Sequence, residues 1–261
     1  KQMNNSPIGV FDSGVGGLTV LKELADLMPN ETYIYIGDNC HSPYGDKSRQ
    51  ELLAYTTDIL SYFQTQGTDL VVMACNTTSS LVLEELRLRF DKMTIIGVID
   101  ATVEKVSQTQ KERVLVMATA ATIASGVYQQ KIGASSYGLA CPKLVPLIEH
   151  AAPQAMIEAY LKTLLEPLQG QFDQIVLGCT HYPIIQDMIG HLYPGAQLIS
   201  GSEAVAPAVY QYCLQANRIA SKKTARSKIY TTGALESFVL SSRSFFDYRG
   251  YDVRYLPPLT K

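Results

Sequence analysis

The five cysteines are an odd number, scattered from Cys40 to Cys213 with no CxxC pair. This usage argues against both a disulfide framework and a zinc ribbon, and it points to a reducing compartment. No apolar segment is long enough to span a bilayer. Lys1 to Pro7 is too short and polar for a secretory signal, so the expected location is the cytoplasm, with no membrane partner. Basic excess is missing too: 22 Lys and Arg against 24 Asp and Glu leave a formal net charge of −2, and no nucleic-acid partner is expected. The densest cationic stretch, Lys222-Lys223-Thr-Ala-Arg226, is short and lies between elements, where it reads as a solvated loop. Neither a dinucleotide fingerprint nor a P-loop is present, because Ser13-Gly14-Val15-Gly16-Gly17 has the wrong spacing for both. Two thiols with one suitable histidine make a poor metal site. The expectation is a protein without metal or cofactor.

What remains is an ordinary globular composition, 261 residues with 46% hydrophobic and 18% charged, enough for one large or two small α/β domains. Apolar runs of strand length at 8–12, 32–37, 69–73, 94–99, 113–118, 137–141, 173–178, 228–232 and 251–256 alternate with amphipathic stretches. The helices expected between them cover 18–28, 48–66, 76–90, a segment from Asp100, 122–131, 154–168, 202–219 and 236–243. This alternation predicts an α/β fold of two similar lobes, each a mostly parallel sheet flanked by helices, with the active site in the cleft between them. The last strand–helix–strand unit is too small to stand alone and is expected to complete the first sheet. The lobes are then 1–99 plus 208–261, and 100–207.

One stretch organises the rest. In Asp69-Leu-Val-Val-Met-Ala-Cys75-Asn76-Thr77-Thr78-Ser79-Ser80 an apolar strand ends at a cysteine, and short polar residues open a helix. The carboxyl end of a parallel strand is where open α/β sheets bind ligands, and helix N–H groups there favour negative charge. A thiol so placed is expected to ionise more easily than a free one. The pattern recurs without a gap in Asp173-Gln-Ile-Val-Leu-Gly178-Cys179-Thr180-His181. Two such cysteines in similar halves can face one pocket from opposite sides.

Other candidates lie at strand ends. Asp12 follows the first strand and suits orienting an ammonium group or supporting a proton carrier; a turn or cap aspartate is the alternative. The loop Asp38-Asn39-Cys40-His41-Ser42-Pro43-Tyr44-Gly45 can present amides to a carboxylate, with Cys40 and His41 as wall residues rather than a catalytic pair. Cys141 and Cys213 read as buried structural thiols. Glu149 and His150 fit a site or a solvated helix end equally well.

Opposed thiols suit moving a proton from one face of a carbon to the other: one thiolate removes the Cα proton while the opposite thiol supplies another. Donors at the helix starts, with Asn76, Thr77 and Thr180, would hold the charge that develops. His181 would tune Cys179 and Asp12 would tune Cys75. The residues also leave room for a hydrolase with Cys179 as nucleophile and His181 as base, which gives Cys75 no task, and for a non-catalytic amino-acid-binding protein.

Seven blocks now converge. Phe11-Asp12-Ser13-Gly14-Val-Gly16-Gly17-Leu18, Gly37-Asp38-Asn39, Pro43-Tyr44-Gly45, Ala74-Cys75-Asn76-Thr77, Ser125-Gly126-Val-Tyr128, Gly178-Cys179-Thr180-His181 and Tyr230-Thr-Thr-Gly233 stand in that order. With them the chain resembles, over nearly all its length, the cofactor-independent glutamate racemases of the aspartate/glutamate racemase superfamily. The resemblance implies interconversion of L- and D-glutamate to supply D-glutamate for peptidoglycan, in a homo-oligomer such as a dimer. It implies Cys75 and Cys179 as acid/base thiols, the first acting on D-glutamate and the second on L-glutamate, assisted by Asp12 and His181. Ser13, Asn76, Thr77 and Thr180 would hold the amino-acid head, Pro43, Tyr44 and Gly45 the side-chain carboxylate, with Glu149 and Thr119 as further site residues. The chain departs from the family's usual pattern at Cys40-His41-Ser42, where Ala-Arg is common, and at Ala118-Thr119, where Gly-Thr is common. A racemase of aspartate or a hydantoin is the nearest rival.

Overall fold

The computed structural model describes residues 5–110 and 112–259. The first four residues of the polar opening discussed above, Lys1 to Asn4, lie outside the described residues. From the amino end the elements run β1 (Ile8–Asp12), α1 (Leu18–Leu27), β2 (Tyr33–Gly37), α2 (Arg49–Thr65), β3 (Leu70–Met73), α3 (Asn76–Leu81), α4 (Leu83–Arg89), β4 (Thr94–Gly97) and α5 (Val98–Gln108). They continue with β5 (Val114–Ala118), α6 (Ala120–Ser125), α7 (Val127–Ile132), β6 (Ser136–Ala140), α8 (Leu144–Glu149), α9 (Gln154–Leu165), β7 (Gln174–Gly178) and α10 (Gln186–Leu192). The last are β8 (Gln197–Ser200), α11 (Gly201–Gln215), β9 (Ser227–Thr231), α12 (Leu235–Ser242) and β10 (Tyr251–Tyr255).

These strands form two parallel sheets, one of six in the order β10-β9-β2-β1-β3-β4 and one of four in the order β6-β5-β7-β8. Every residue of β1, β2, β3, β5 and β7 is buried. That is why these strands read as unbroken apolar runs: a parallel sheet is covered on both faces. The edge strands β10 and β6 are only partly buried. One core cluster packs α1, α5, α7 and α11 between the sheets, while two others fill the outer faces. The expected lobe boundaries at 99/100 and 207/208 fall inside α5 and α11, helices that pack against each other.

The sheets share a frame, since β2-β1-β3-β4 corresponds in order to β6-β5-β7-β8. The duplicated segments around Cys75 and Cys179 therefore sit on equivalent strands, β3 and β7.

Helix continuity differs from expectation. The single helix expected over 76–90 breaks at Val82 into α3 and α4. Within α3 the Thr78 and Ser80 hydroxyls bond to the carbonyls of Cys75 and Thr77, and such back-bonding competes with the helical ladder. The helix expected through Lys131 is interrupted at Gly126, whose φ of 69° is left-handed. Helix α5 starts at Val98, ahead of Asp100, and α9 passes at Glu166 into a short 3₁₀ turn. Helix α8 is not among the helices expected from the pattern, although Glu149 and His150 do form a helix end. After Cys179 no α-helix opens: Tyr182–Ile185 is a 3₁₀ turn, and α10 begins only at Gln186. The helix-terminus donors expected beside both thiols thus exist only beside Cys75.

The small residue before each cysteine has a steric cause on β7, where a Cβ at Gly178 would lie 2.6 Å from the Met117 carbonyl oxygen of β5. A Gly178→Ala variant is expected to lose about 1–3 kcal/mol of unfolding free energy, the usual range for overpacking, as read from its urea midpoint.

Candidate active site

Strand order reverses around β1 in one sheet and around β5 in the other, so the crevices of both sheets open at the carboxyl ends of β1 and β3, and of β5 and β7. The two crevices face each other across a cavity of about 160 Å³. It is smaller than the roughly 300–1,000 Å³ of pockets for drug-sized ligands. Cys75 and Cys179 both line it, with Ser13, Asn76, Thr77, Thr180 and His181 around the thiols and Pro43, Tyr44, Gly45 and Thr119 on the remaining wall. Asp12 and Glu149, the other two residues expected at the site, stand behind this lining.

On the Cys179 side a chain of contacts leads into the protein. His181 is 1% exposed, with Nδ1 3.7 Å from Cys179 Sγ and Nε2 2.6 Å from Glu149 Oε1. The same Glu149 oxygen accepts from the Val15 backbone N–H at 3.0 Å. The anion met by the glycine loop is therefore one of the protein's own carboxylates. A Cβ at Gly14 would come within 2.2 Å of that oxygen, and one at Gly16 within 2.5 Å of His181 Nδ1. Burial by itself would pull the imidazole down, but hydrogen bonds and charge from Cys179 and Glu149 outweigh it, and His181 is held well above the usual histidine range. For Glu149, burial pushes upward and the His181 contact more than offsets it, so its carboxyl sits below the usual range. The geometry supports an imidazolium clamped by a carboxylate, facing a thiol.

The Cys75 side is built differently. Cys75 occupies the N-cap of α3, yet burial first, and then the Asp12 charge, pushes its thiol up to about 12. The expected easy ionisation is thus not met: desolvation outweighs one helix end. Asp12 is fully buried and itself raised by that burial, against the lowering effects of His181, the Gly14 and Gly17 amides and Thr180. Its carboxylate accepts from Gly14 N at 3.0 Å and from the Thr180 hydroxyl at 3.1 Å. Asp12 therefore joins the first strand to the loop that carries Cys179.

The wall formed by residues 43–45 is held from behind by the buried carboxylate of Asp38. Asp38 accepts from Tyr44, from Thr232 at 2.7 Å and from His41 Nδ1 at 2.9 Å, while the His41 ring stacks on Tyr55 at 3.8 Å. Cys40 and His41 were expected as wall residues; they lie outside the lining, and His41 acts as a brace because its ring is spent on Asp38 and Tyr55. Opposite Gly45, Thr119 Oγ1 is 2.9 Å from Thr77 Oγ1, so the second sheet's first loop meets the start of α3. Cys213 and Cys141 are both buried in core clusters as expected, and Cys141 also lines the cavity, its thiol pushed up to about 12 by burial. Of the neighbours Glu149 and His150, only Glu149 bonds into the network; His150 is the exposed C-cap of α8. Lys223, read as solvated, bonds through Nζ to the Glu31 carbonyl and Ser227 at 3.2 Å each.

Val145 and Pro146 also line the cavity and Tyr128 bonds to Asn76, none of them expected at the site from local pattern. The block Cys141-Pro142-Lys-Leu-Val145-Pro146 carried a signal, a strand end like the others, but its prolines obscured the following helix. Among the described residues no helix is long and apolar enough to cross a membrane, and no cluster of His, Cys, Asp and Glu could hold a metal ion.

Residues 12–209 match the family described as Asp/Glu/Hydantoin racemase. A protein of Streptococcus sanguinis named glutamate racemase is 38% identical over 246 residues, covering 90% of this chain and 93% of its own length. One of the same name from Carboxydothermus hydrogenoformans is 40% identical over 233 residues, covering 87% and 86%. Among solved structures, glutamate racemase from Francisella tularensis in complex with D-glutamate superposes with a TM-score of 0.88 at 30% identity over 97% of both chains. Glutamate racemase from Thermus thermophilus with β-chloro-D-alanine gives 0.88 at 30% identity over 98% of both.

Because Cys75 is held as a thiol, its alkylation should be slow near neutral pH and rise with pH as the thiolate forms. In a Cys179→Ser background, the rate of iodoacetamide addition to Cys75, followed by peptide mass, should still be climbing at a pH of about 10. A plateau below pH 8 would contradict the environment described.

Proposed function

The chain belongs to the Asp/Glu/Hydantoin racemase family, and from that premise we propose that it interconverts L- and D-glutamate through Cys75 and Cys179, without metal, pyridoxal phosphate or nucleotide. The observation that carries this reading is the placing of two thiols at the ends of equivalent strands, β3 and β7, on one small cavity. Glutamate is preferred to aspartate or a hydantoin by the names of the relatives with which the chain shares most of its length.

In the direction from L-glutamate, Cys179 is the base. The His181 imidazolium favours its thiolate, which takes the Cα proton; the Cα–H pair of electrons spreads toward the α-carboxylate, and Cys75 delivers its own proton to the opposite face. Cys179 is then a thiol and Cys75 a thiolate, the form that acts on D-glutamate. Glu149 keeps His181 charged and turned toward Cys179. Asp12 assists Cys75 through its charge, which keeps that sulfur protonated and able to give a proton, and it also holds Thr180 and the loop at Gly14. Ser13, Asn76, Thr77 and Thr180 hold the head; Pro43, Tyr44, Gly45 and Thr119 receive the distal carboxylate. The order Cys179–His181–Glu149 also fits a cysteine hydrolase, but that reading still leaves Cys75 idle.

We further propose that the product supplies D-glutamate for peptidoglycan, that the protein works in the cytoplasm as a homodimer, and that 1–99 plus 208–261 and 100–207 act as its two lobes. The deciding experiment is proton NMR with L- or D-glutamate in deuterated water, without added cofactor, following Cα–H loss and optical rotation together. Exchange with inversion from both enantiomers is expected, and it should survive exhaustive chelation. Cys75→Ser and Cys179→Ser should each cut racemisation by about 10²–10⁴-fold, the usual contribution of a positioned acid or base. Each should impair Cα proton removal from a different enantiomer, D-glutamate for Cys75 and L-glutamate for Cys179. Wild-type protein that neither exchanges nor inverts glutamate would sink the substrate assignment.

A further inference from the structure

Asn76 lines the cavity one residue beyond Cys75, and its side-chain amide has two unlike ends, an oxygen that only accepts and a nitrogen that only donates. Which end faces a substrate carboxylate decides whether the residue attracts or repels it. The Asn76 oxygen is already engaged: Asn76 Oδ1 accepts from the hydroxyl of Tyr128. Tyr128 is 3% exposed, and burial pushes its hydroxyl well above the usual tyrosine range, so it stays protonated and a donor. Its position depends on the chain break at Gly126. Helix α6 ends at Ser125, Gly126 takes the left-handed conformation, the Ser125 hydroxyl accepts from Val127 N at 3.3 Å, and α7 restarts with Tyr128 aimed at α3.

We propose that Tyr128 is a positioning residue for racemisation: by occupying the Asn76 oxygen it turns the Asn76 Nδ2 donors into the cavity, toward the α-carboxylate of the bound amino acid. This rests on the functional reading above and assigns a role to the block Ser125-Gly126-Val-Tyr128. It also makes the donor set next to Cys75 dependent on the other sheet, because α7 follows β5 while α3 follows β3. The neighbouring Thr77 is held in the same way, by Thr119 at the end of β5. The electron density leaving Cα flows into that carboxylate, so a donor held on it strengthens in the transition state, and the loss should fall on kcat more than on KM.

The test is a double-mutant cycle with Tyr128→Phe and Asn76→Ala on the full chain. Tyr128→Phe should lower kcat for glutamate roughly 10- to 100-fold, the factor carried by one hydrogen bond to a charged group, with KM changed less than about threefold. Adding Asn76→Ala to Tyr128→Phe should cost much less than Asn76→Ala costs alone. Additive losses, or a Tyr128→Phe enzyme with unchanged kcat, would overturn the proposal. A substrate-free readout stands beside it: in ¹H–¹⁵N spectra the Asn76 side-chain amide pair, assigned by its disappearance in Asn76→Ala, should shift or broaden in Tyr128→Phe. An unmoved pair counts against the proposal. Wild-type protein inactive on glutamate would instead be a failure of the substrate reading alone, since the amide signal does not depend on it.

Discussion

The carboxylate of Glu149 sits where the parts of this protein meet. It comes from α8, the helix after β6; it accepts from the Val15 amide in the loop after β1; and it holds His181 in the loop after β7. A buried carboxylate is costly unless its charge is paired and hydrogen-bonded, and here an imidazolium and a backbone N–H share one oxygen. The glycines of the first loop follow from this. Gly14 and Gly16 leave no space for a Cβ because Glu149, Thr180 and His181 press against them. A motif that looks like a phosphate cradle is thus closed over the protein's own anion.

The two halves share a strand order but differ in how they treat their thiols. Beside Cys179 the polypeptide turns without starting a helix, and charge is supplied by His181 instead. Beside Cys75 a helix does start, yet burial and the Asp12 charge keep the sulfur protonated. The two thiols thus stand in unlike surroundings, one facing an imidazolium and the other buried near a carboxylate. Repeated strands with unlike loops produce that inequality.

Much of this was legible in the chain. Parallel strands covered on both faces must be apolar throughout, which made 8–12, 69–73, 113–118 and 173–178 visible, and the gapless likeness of 69–77 to 173–181 marked their equivalence. Ser48 opening α2, with Glu51 closing a capping box, shows how local hydrogen bonding writes a helix start into sequence. Helix breaks were less legible. The break at Val82 follows short hydroxyl side chains that bond back to their own helix, that at Gly126 a left-handed glycine, neither of which alters the apolar periodicity, and α8 lay hidden behind Pro142 and Pro146. His41 was misplaced for a different reason: its ring goes to Asp38 and Tyr55, partners 3 and 14 positions away in sequence that meet only in the fold.

The sequence alone determined the class of fold, the pairing of two cysteine-bearing strand ends and the residue types available to the site, because these depend on side-chain periodicity and short-range spacing. Only the tertiary structure decided that Cys75 is held as a thiol, that Glu149 is buried under the glycine loop and that Tyr128 orients Asn76. Those properties come from desolvation and from hydrogen bonds between segments 52 to 168 residues apart, such as Asn76 with Tyr128 and Asp12 with Thr180. Local pattern carries no record of such distances, and the energies involved exist only once water has been excluded between the two sheets.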